Sequence, residues 1–376
     1  MTAAPVVIVH VIHHLVIGGM ENGVVNLINH LPRERFRHIV VCVEDFSDFR
    51  DRIADANVEV VALHRSKIGA WQMRWLLWRL FRRVKPAIVH TRNLSGLDAL
   101  LPALLAGART IHSEHGFDVG DLTGRSFKSA LLRRFHAPLV RRYVTVSRDL
   151  GNLMINRWGI SPRRITQIYN GVDVDKFRPC EPRRHNLLPP ELRSRKVFVV
   201  GTVGRLRPIK DQATLVRAFA GVIDRSPHWR EKLRLIVVGD GPLLLQLREL
   251  ADELGVGAQV WFPGACQDVS TLMQAMDLFV LPSLNEGVSN TLLEAMATGI
   301  PVLASAVGGN VELVEEGVVG AMFRPGDHLA LGCLIDQYVG NAELCVEQGT
   351  AARNRVLQRF SLSHMVASYQ QVYETA

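Results

Sequence analysis

The densest run of chemistry-bearing residues in this 376-residue chain is Pro282 to Ala297, PSLNEGVSNTLLEAMA, directly after a short apolar, strand-like run, Leu278 to Leu281. Gly287, Ser289 and Asn290 supply flexible or capping backbone at a helix start, where free N–H groups and the positive dipole end suit a phosphate. Glu286 stands at the mouth of that turn. Glu294 lies about two turns into the helix, where its carboxylate can accept from paired hydroxyls such as those of a ribose. A second run, Gly204 to Asp211 (GRLRPIKD), follows strand-like Val197 to Val203. Gly204 is expected to turn the chain tightly, and Arg205 and Lys210 to converge on one anionic group, the first as a planar fork and the second as a point charge. Such a pair can neutralise a diphosphate without a metal. A third turn, Ile17 to Glu21, carries Gly18 and Gly19 between the first strand and the first helix, where amides can also approach a phosphate. Each signal has a plainer structural reading when taken singly: Glu294 as a surface residue, Glu286 as a helix-start charge, the basic loop as a solvated surface.

Other patterns are weaker. His115 closes the strand Arg109 to Glu114 and falls at a strand end. Metal binding by His112 and His115 is disfavoured, because alternating strand geometry turns residues three apart to opposite faces, and no metal is expected. Asp173-Val174-Asp175 matches a bare D-x-D, but follows Asn170-Gly171 beside a linker and reads as a turn and hinge. His10, His13 and His14 lack a ligand cluster and are assigned to core or surface. Neither Ile17 to Glu21 nor Val238 to Pro242 has the G-x-G-x-x-G spacing of a dinucleotide site.

These loops need strands and helices to hold them. β-Branched runs alternate with amphipathic stretches throughout, the pattern of parallel sheets covered by helices on both faces. The expected strands are Val6 to Ile12, His38 to Val43, Val58 to Leu63, Ala87 to Thr91, Arg109 to Glu114, Tyr143 to Val146 and Arg164 to Ile168, then Val197 to Val203, Leu233 to Val238, Gln259 to Phe262, Leu278 to Leu281 and Val302 to Ala304. The fold class is α/β, with two facing, doubly wound Rossmann-like domains: residues 1–180, a Pro-rich and charged linker 181–195, and residues 196–358, followed by a terminal helix, 359–376. Ligands of such domains sit at the carboxyl ends of the strands.

Apolar residues form 48% of the chain and charged residues 21%, which excludes a disordered protein. The most apolar stretches are too short to cross a bilayer, and Met1 leads straight into a strand without a signal-like start, so a cytoplasmic location, on the inner face of the membrane if at a membrane, is expected. Five scattered cysteines suggest neither bridges nor a metal site. Residues 1–178 carry 26 Lys and Arg against 15 Asp and Glu, whereas the remainder carries 18 against 21. A one-sided positive field points to an anionic partner for the first half.

Taken together, Gly18-Gly19-Met20-Glu21, His115-Gly116, Ile168 to Asp173, Gly204-Arg205 with Lys210, Val238 to Pro242 and Glu286 to Pro301 resemble glycosyltransferase family four, a retaining group of GT-B architecture, across nearly the whole chain. Gly18 to Gly23 (GGMENG) is also similar to a branch associated with bacterial exopolysaccharide synthesis. The resemblance implies a nucleotide diphosphate sugar as donor, no metal or other cofactor, and a terminal helix that crosses back to the first domain. It implies that Arg205 and Lys210 grip the phosphates, that Glu294 holds the ribose, and that Glu286 with Gly287, Ser289, Asn290 and Leu293 lines the donor. By the same likeness Gly18 and Gly19 approach the phosphate, Gly204 belongs to the donor site, and His115 lies beside the sugar. One departure is Val288-Ser289, where the family commonly has bulkier or proline-containing sequence, and it leaves the sugar preference open.

On the acceptor side, Trp71 to Lys85 (WQMRWLLWRLFRRVK) reads as a helix with Met73, Leu77, Leu80, Phe81 and Val84 on one face and Trp71, Trp75, Trp78 and Arg82 on the other. Indole and guanidinium together suit a membrane interface, and Arg125 to Arg142 adds a second basic segment. The expected partners are a sugar nucleotide, a glycan or lipid-linked acceptor and a membrane surface; no nucleic-acid motif is present. A sugar-nucleotide epimerase and a non-catalytic sugar-nucleotide binder remain alternatives to the transferase.

Overall fold

The structure, a computed structural model, describes residues 4–116, 126–193 and 197–376. The chain divides into two compact units, residues 1–171 with 362–376, and residues 172–361.

The first unit runs β1 (Val6–Ile12), α1 (Gly19–His30), β2 (Phe36–Cys42), β3 (Glu59–Ala62), α2 (Ala70–Val84), β4 (Ile88–Arg92), α3 (Leu100–Leu105), β5 (Arg109–Glu114), α4 (Phe127–His136), β6 (Arg142–Thr145), α5 (Arg148–Trp158) and β7 (Ile165–Gln167). Its described strands form a parallel sheet in the order β3-β2-β1-β4-β5-β6-β7. The inner strands β1 and β2 are largely buried on both faces, which explains their apolar runs, while the edge strands β3 and β7 are half-buried. On one face Val9, Val11 and Val89 meet Met73, Leu77 and Phe81 of α2; Leu80 is buried as expected and Val84 half-buried. On the other face Ile8, Ile88 and Ile111 meet the last helix, α13 (Leu362–Thr375), through Met365, Tyr369 and Tyr373.

The second unit runs β8 (Phe198–Val203), α6 (Gln212–Arg225), β9 (Leu233–Val238), α7 (Leu244–Glu253), β10 (Val260–Gly264), α8 (Val269–Met273), β11 (Leu278–Leu281), α9 (Asn290–Ala297), β12 (Val302–Ser305), α10 (Asn310–Leu313), β13 (Gly320–Phe323), α11 (His328–Tyr338) and α12 (Ala342–Arg359). Its parallel sheet has the order β10-β9-β8-β11-β12-β13. In both sheets the order reverses beside the first strand, between β1 and β4 and between β8 and β11. Loops leaving such neighbours diverge and open a crevice at the strand ends.

Two features differ from expectation. The edge strand β13 was not anticipated: it is short and begins at Gly320, where a Cβ would stand 1.7 Å from the Val302 carbonyl oxygen. The expected linker is not a free connection. The chain leaves the first unit at Gly171, and residues 181–193 are packed on the second. Leu188 and Leu192 are buried there, Arg183 donates to the carbonyls of Thr298 (3.3 Å) and Gly299 (2.7 Å), and His185 meets Asp277 at 3.0 Å. Residues 194–196, and Arg125 of the second basic segment, lie outside the described residues.

Candidate active site

In the second unit the loops after β8 and β11 meet at the strand-order reversal. The Leu284 amide donates to the Ile209 carbonyl at 2.8 Å, which ties the two loops together. Lys210 Nζ is bonded to Glu286 Oε1, and the buried Ser283 hydroxyl donates to the same oxygen at 2.7 Å. Two sequence-predicted site residues are therefore joined in one ion pair, with Glu286 the more buried partner. The turn into α6 passes through Asp211 at φ 45°, a left-handed conformation that Asp tolerates, and the Asp211 carboxylate accepts from Thr214 Oγ1 at 2.7 Å.

α9 starts immediately beyond. Ser289 caps it, its hydroxyl accepting from the Leu292 amide at 3.3 Å, and Asn290 is the first helical residue. Glu294 lies one turn further on, half-buried. Leu293 is fully buried and its amide donates to Ser289, so it supports the helix from the core side. Arg205 is exposed; its carbonyl accepts from Gln212 Nε2 at 3.2 Å, which fixes the backbone beneath it.

Gly204 lies at the bend that directly follows β8. It is outside the left-handed region, and a Cβ there would come no closer than 3.9 Å to another atom. Opposite it, Gly239 has no room for a side chain: at φ 137° a Cβ there would stand 1.9 Å from the Gly204 oxygen. Sequence reasoning also missed the loop after β12. Gly308 lies against the Glu286 carbonyl and Gly309 against that of Gly287, to which its amide donates at 2.9 Å. The signal was available: Val307-Gly308-Gly309-Asn310 puts paired glycines at a strand end.

In the first unit, β4 ends in Arg92, whose side chain is 1% exposed. Its guanidinium approaches His10 Nδ1 (3.2 Å) and His90 Nδ1 (3.3 Å), and His90 is bonded in turn to Tyr373 (2.8 Å) and to Ser113. His10 meets His38 at 3.0 Å. Among the described residues Arg92 Nε has no partner, and no carboxylate is within ion-pair distance of Arg92. His115, just past β5, is held by its amide, which donates to Asn93 Oδ1 at 2.9 Å, while neither ring nitrogen has a partner among the described residues. Burial, with the Arg92 charge second, pushes His115 down to about 3, so the ring is neutral. His112 points to the opposite face, toward Thr91 and Glu114. α1 begins at Gly19 with Gly18 as its cap residue, so its positive dipole end lies at the paired glycines. Asp173 accepts from the amides of Asp175 and Lys176, both at 3.0 Å, as a turn residue does.

Two parallel α/β units, each with its candidate residues at a strand-order reversal, define a protein of the GT-B kind. Residues 17–176 match the family model for Glycosyltransferase Family 4, and residues 186–355 that for Glycosyl transferases group 1. The chain belongs to this family of glycosyltransferases. It is similar to the UDP-Gal:alpha-D-GlcNAc-diphosphoundecaprenol alpha-1,3-galactosyltransferase of Escherichia coli, with 26% identity over 99% of this chain and 97% of that one. It is 32% identical to a D-inositol 3-phosphate glycosyltransferase of Stackebrandtia nassauensis, over 74% of this chain and 65% of that one. Among solved structures it is similar to Anabaena Alr3699/HepE in complex with UDP, with a TM-score of 0.84 and 22% identity, covering 99% of this chain and 100% of the other.

Proposed function

We propose that the chain is a retaining hexosyltransferase that moves a sugar from a uridine diphosphate sugar to a glycan or lipid-linked acceptor in bacterial surface or exopolysaccharide synthesis. The observation that carries this reading is the Lys210–Glu286 pair beside the capped start of α9 at the β8/β11 reversal. The UDP named for HepE and the diphosphoundecaprenol acceptor named for the Escherichia coli relative support the donor and acceptor classes.

In this reading negative charge grows on the departing diphosphate. Lys210, Arg205 and the first amides of α9 stabilise it, and fixed donors of this kind lower the barrier without reorganising; no metal is needed. Gly204, which leaves its loop open, lets the phosphates come close. Glu294 holds the ribose. Glu286, whose Oε1 is already engaged by Lys210 and by the Ser283 hydroxyl, positions sugar hydroxyls and is not a covalent nucleophile. His115, neutral, offers one donor and one acceptor to a sugar hydroxyl, and the α1 end at Gly18 and Gly19 favours a phosphate. The incoming hydroxyl attacks from the face the diphosphate leaves and passes its proton to the departing phosphate oxygen.

Thermal-shift titration with UDP, GDP and ADP identifies the base, and transfer to a diphosphate-lipid acceptor then tests the reaction. Donor consumption at full rate without any acceptor would favour the epimerase. Donor binding without turnover in either wild type or Glu286→Gln would leave a non-catalytic binder.

A further inference from the structure

We propose that the outer surface of α2, α3 and α4 docks the first unit on an anionic lipid bilayer. The decisive element is α4, whose amphipathicity is inverted. Its one buried residue is a cation, Arg133, which meets Glu114 at 2.6 Å and stacks on Trp158. Its outward side carries Phe127, Leu131 and Phe135 at four-residue spacing, 78%, 55% and 76% exposed. A helix on the surface of a water-bounded domain does the reverse.

α2 supplies the same chemistry. Trp71, Trp75 and Trp78 stand outward, and each carries a guanidinium over its ring, from Arg74, Arg79 and Arg82 respectively. α2 packs against α3, which exposes Leu105, and the turn Leu94–Ala99 touches both α2 and α4. The three helices thus form one continuous layer.

The charge selects the occupant. Residues 65–142 hold 15 Lys and Arg against four Asp and Glu. Both described acids in that stretch, Asp98 and Glu114, are already bonded to Arg74 and Arg133. Arg79, Arg82 and Lys128 are exposed among the aromatic residues. Indole and phenyl rings at headgroup depth with cations among acidic lipids fit this composition. A symmetric pair of copies would press like charges together. The surface belongs to the first unit alone and holds whichever sugar is moved, so its test is separate from that of the transferase reading.

The test is flotation of the full chain with vesicles of phosphatidylcholine alone or mixed equally with phosphatidylglycerol. The protein is expected to float with the mixed vesicles only, and its indole emission to shift to the blue. Phe127→Glu/Phe135→Glu and Trp71→Ala/Trp75→Ala are each expected to lower the bound fraction about ten-fold or more, with the melting temperature kept. Leu245→Glu, an exposed apolar site in the second unit, is expected to leave it unchanged. Equal recovery in the soluble fraction with both vesicles, or no emission shift in the wild type, overturns the proposal. So does lipid binding that survives both double variants, or a wild-type dimer that both variants convert to monomer without any flotation.

Discussion

The two units handle charge at their strand ends in opposite ways. In the second, the charges sit on loops: Lys210 and Glu286 answer one another, partly open to solvent, and a helix start lies beside them. In the first, the charge is inside the sheet. Arg92 is the last residue of β4, buried beneath α13, and among the described residues its neighbours are imidazoles and phenols in place of carboxylates. A guanidinium cannot shed its proton, so its neighbours adjust. Burial, with Arg92 next, holds His10 and His90 well below the ordinary histidine value and brings His38 down to about 4. The second unit can therefore present charge to a ligand, whereas the first presents neutral hydrogen-bonding groups, and its buried cation weighs on stability.

The largest expected effect tests the chemistry of the loops. Lys210→Ala should slow transfer roughly 10- to 150-fold, the loss of one charge-assisted contact of about 1.5–3 kcal/mol, with the melting temperature close to wild type because Lys210 is partly exposed. Steady-state transfer and a thermal melt on one preparation read both. A collapse of the fold with unchanged specific activity would mean that the pair is structural, and the contrast between the units would fail.

Acid should do the opposite. The folded-state values of His10, His38, His90 and His115 all lie below the ordinary 6.5, so between these values the unfolded chain binds more protons. Their contribution is complete above about pH 6.5 and is lost as pH falls toward the folded values, about 4 for His38. His38 alone represents roughly 3 kcal/mol once pH is below both of its values. Arg92 pushes His38 down and Asp55 opposes it weakly. Hydrogen exchange between pH 7 and 4.5 should show β1, β2 and β4 opening before any strand of the second unit. Arg92→Met removes the cation, so the folded imidazoles titrate closer to 6.5 and less stability is lost in acid. At pH 5 its first-unit melting temperature should exceed that of wild type by about 2 to 4 °C, the shift of about 1 kcal/mol in a unit of this size. A lower value at pH 5 would show that the hydrogen bonds from Arg92 outweigh its field.

Where the second unit's candidate residues lie was legible because they are close in sequence to a strand end and a helix start, and local rules govern both. Lys210 and Glu286 are 76 positions apart, yet each is marked by its own loop. Arg92 was not legible. At the end of Ile88–Arg92 it reads as an ordinary basic strand terminus, and its burial is imposed by Tyr369 and Tyr373 from the last helix, far along the chain. The linker misled for a related reason: prolines and charges mark irregular backbone, while the contacts that dock it come from two leucines and one arginine within it. The inverted face of α4 was visible only as a basic segment, because its sense depends on which side Glu114 occupies.

The finest test concerns two glycines, and it separates shape from chemistry within the second unit. At Gly309 a Cβ would stand 1.9 Å from the Gly287 oxygen and 2.8 Å from Val288 Cγ2. Gly309→Ala must therefore push away the turn that carries Glu286, destabilising by roughly 1–3 kcal/mol and weakening donor binding together with the fold. At Gly204 the nearest atoms to a Cβ are Gln212 Nε2 at 3.9 Å and Lys210 Cδ at 4.0 Å, ordinary contacts. Gly204→Ala should leave the melting temperature unchanged or raise it slightly, since alanine restricts the unfolded chain by about 0.4–1 kcal/mol. Yet its methyl group would stand where the diphosphate is proposed to approach, so titration with the sugar nucleotide should show weaker binding in a protein no less stable. Unaltered donor affinity in Gly204→Ala would remove this loop from the phosphate contact and leave Lys210, Arg205 and the α9 amides to make it.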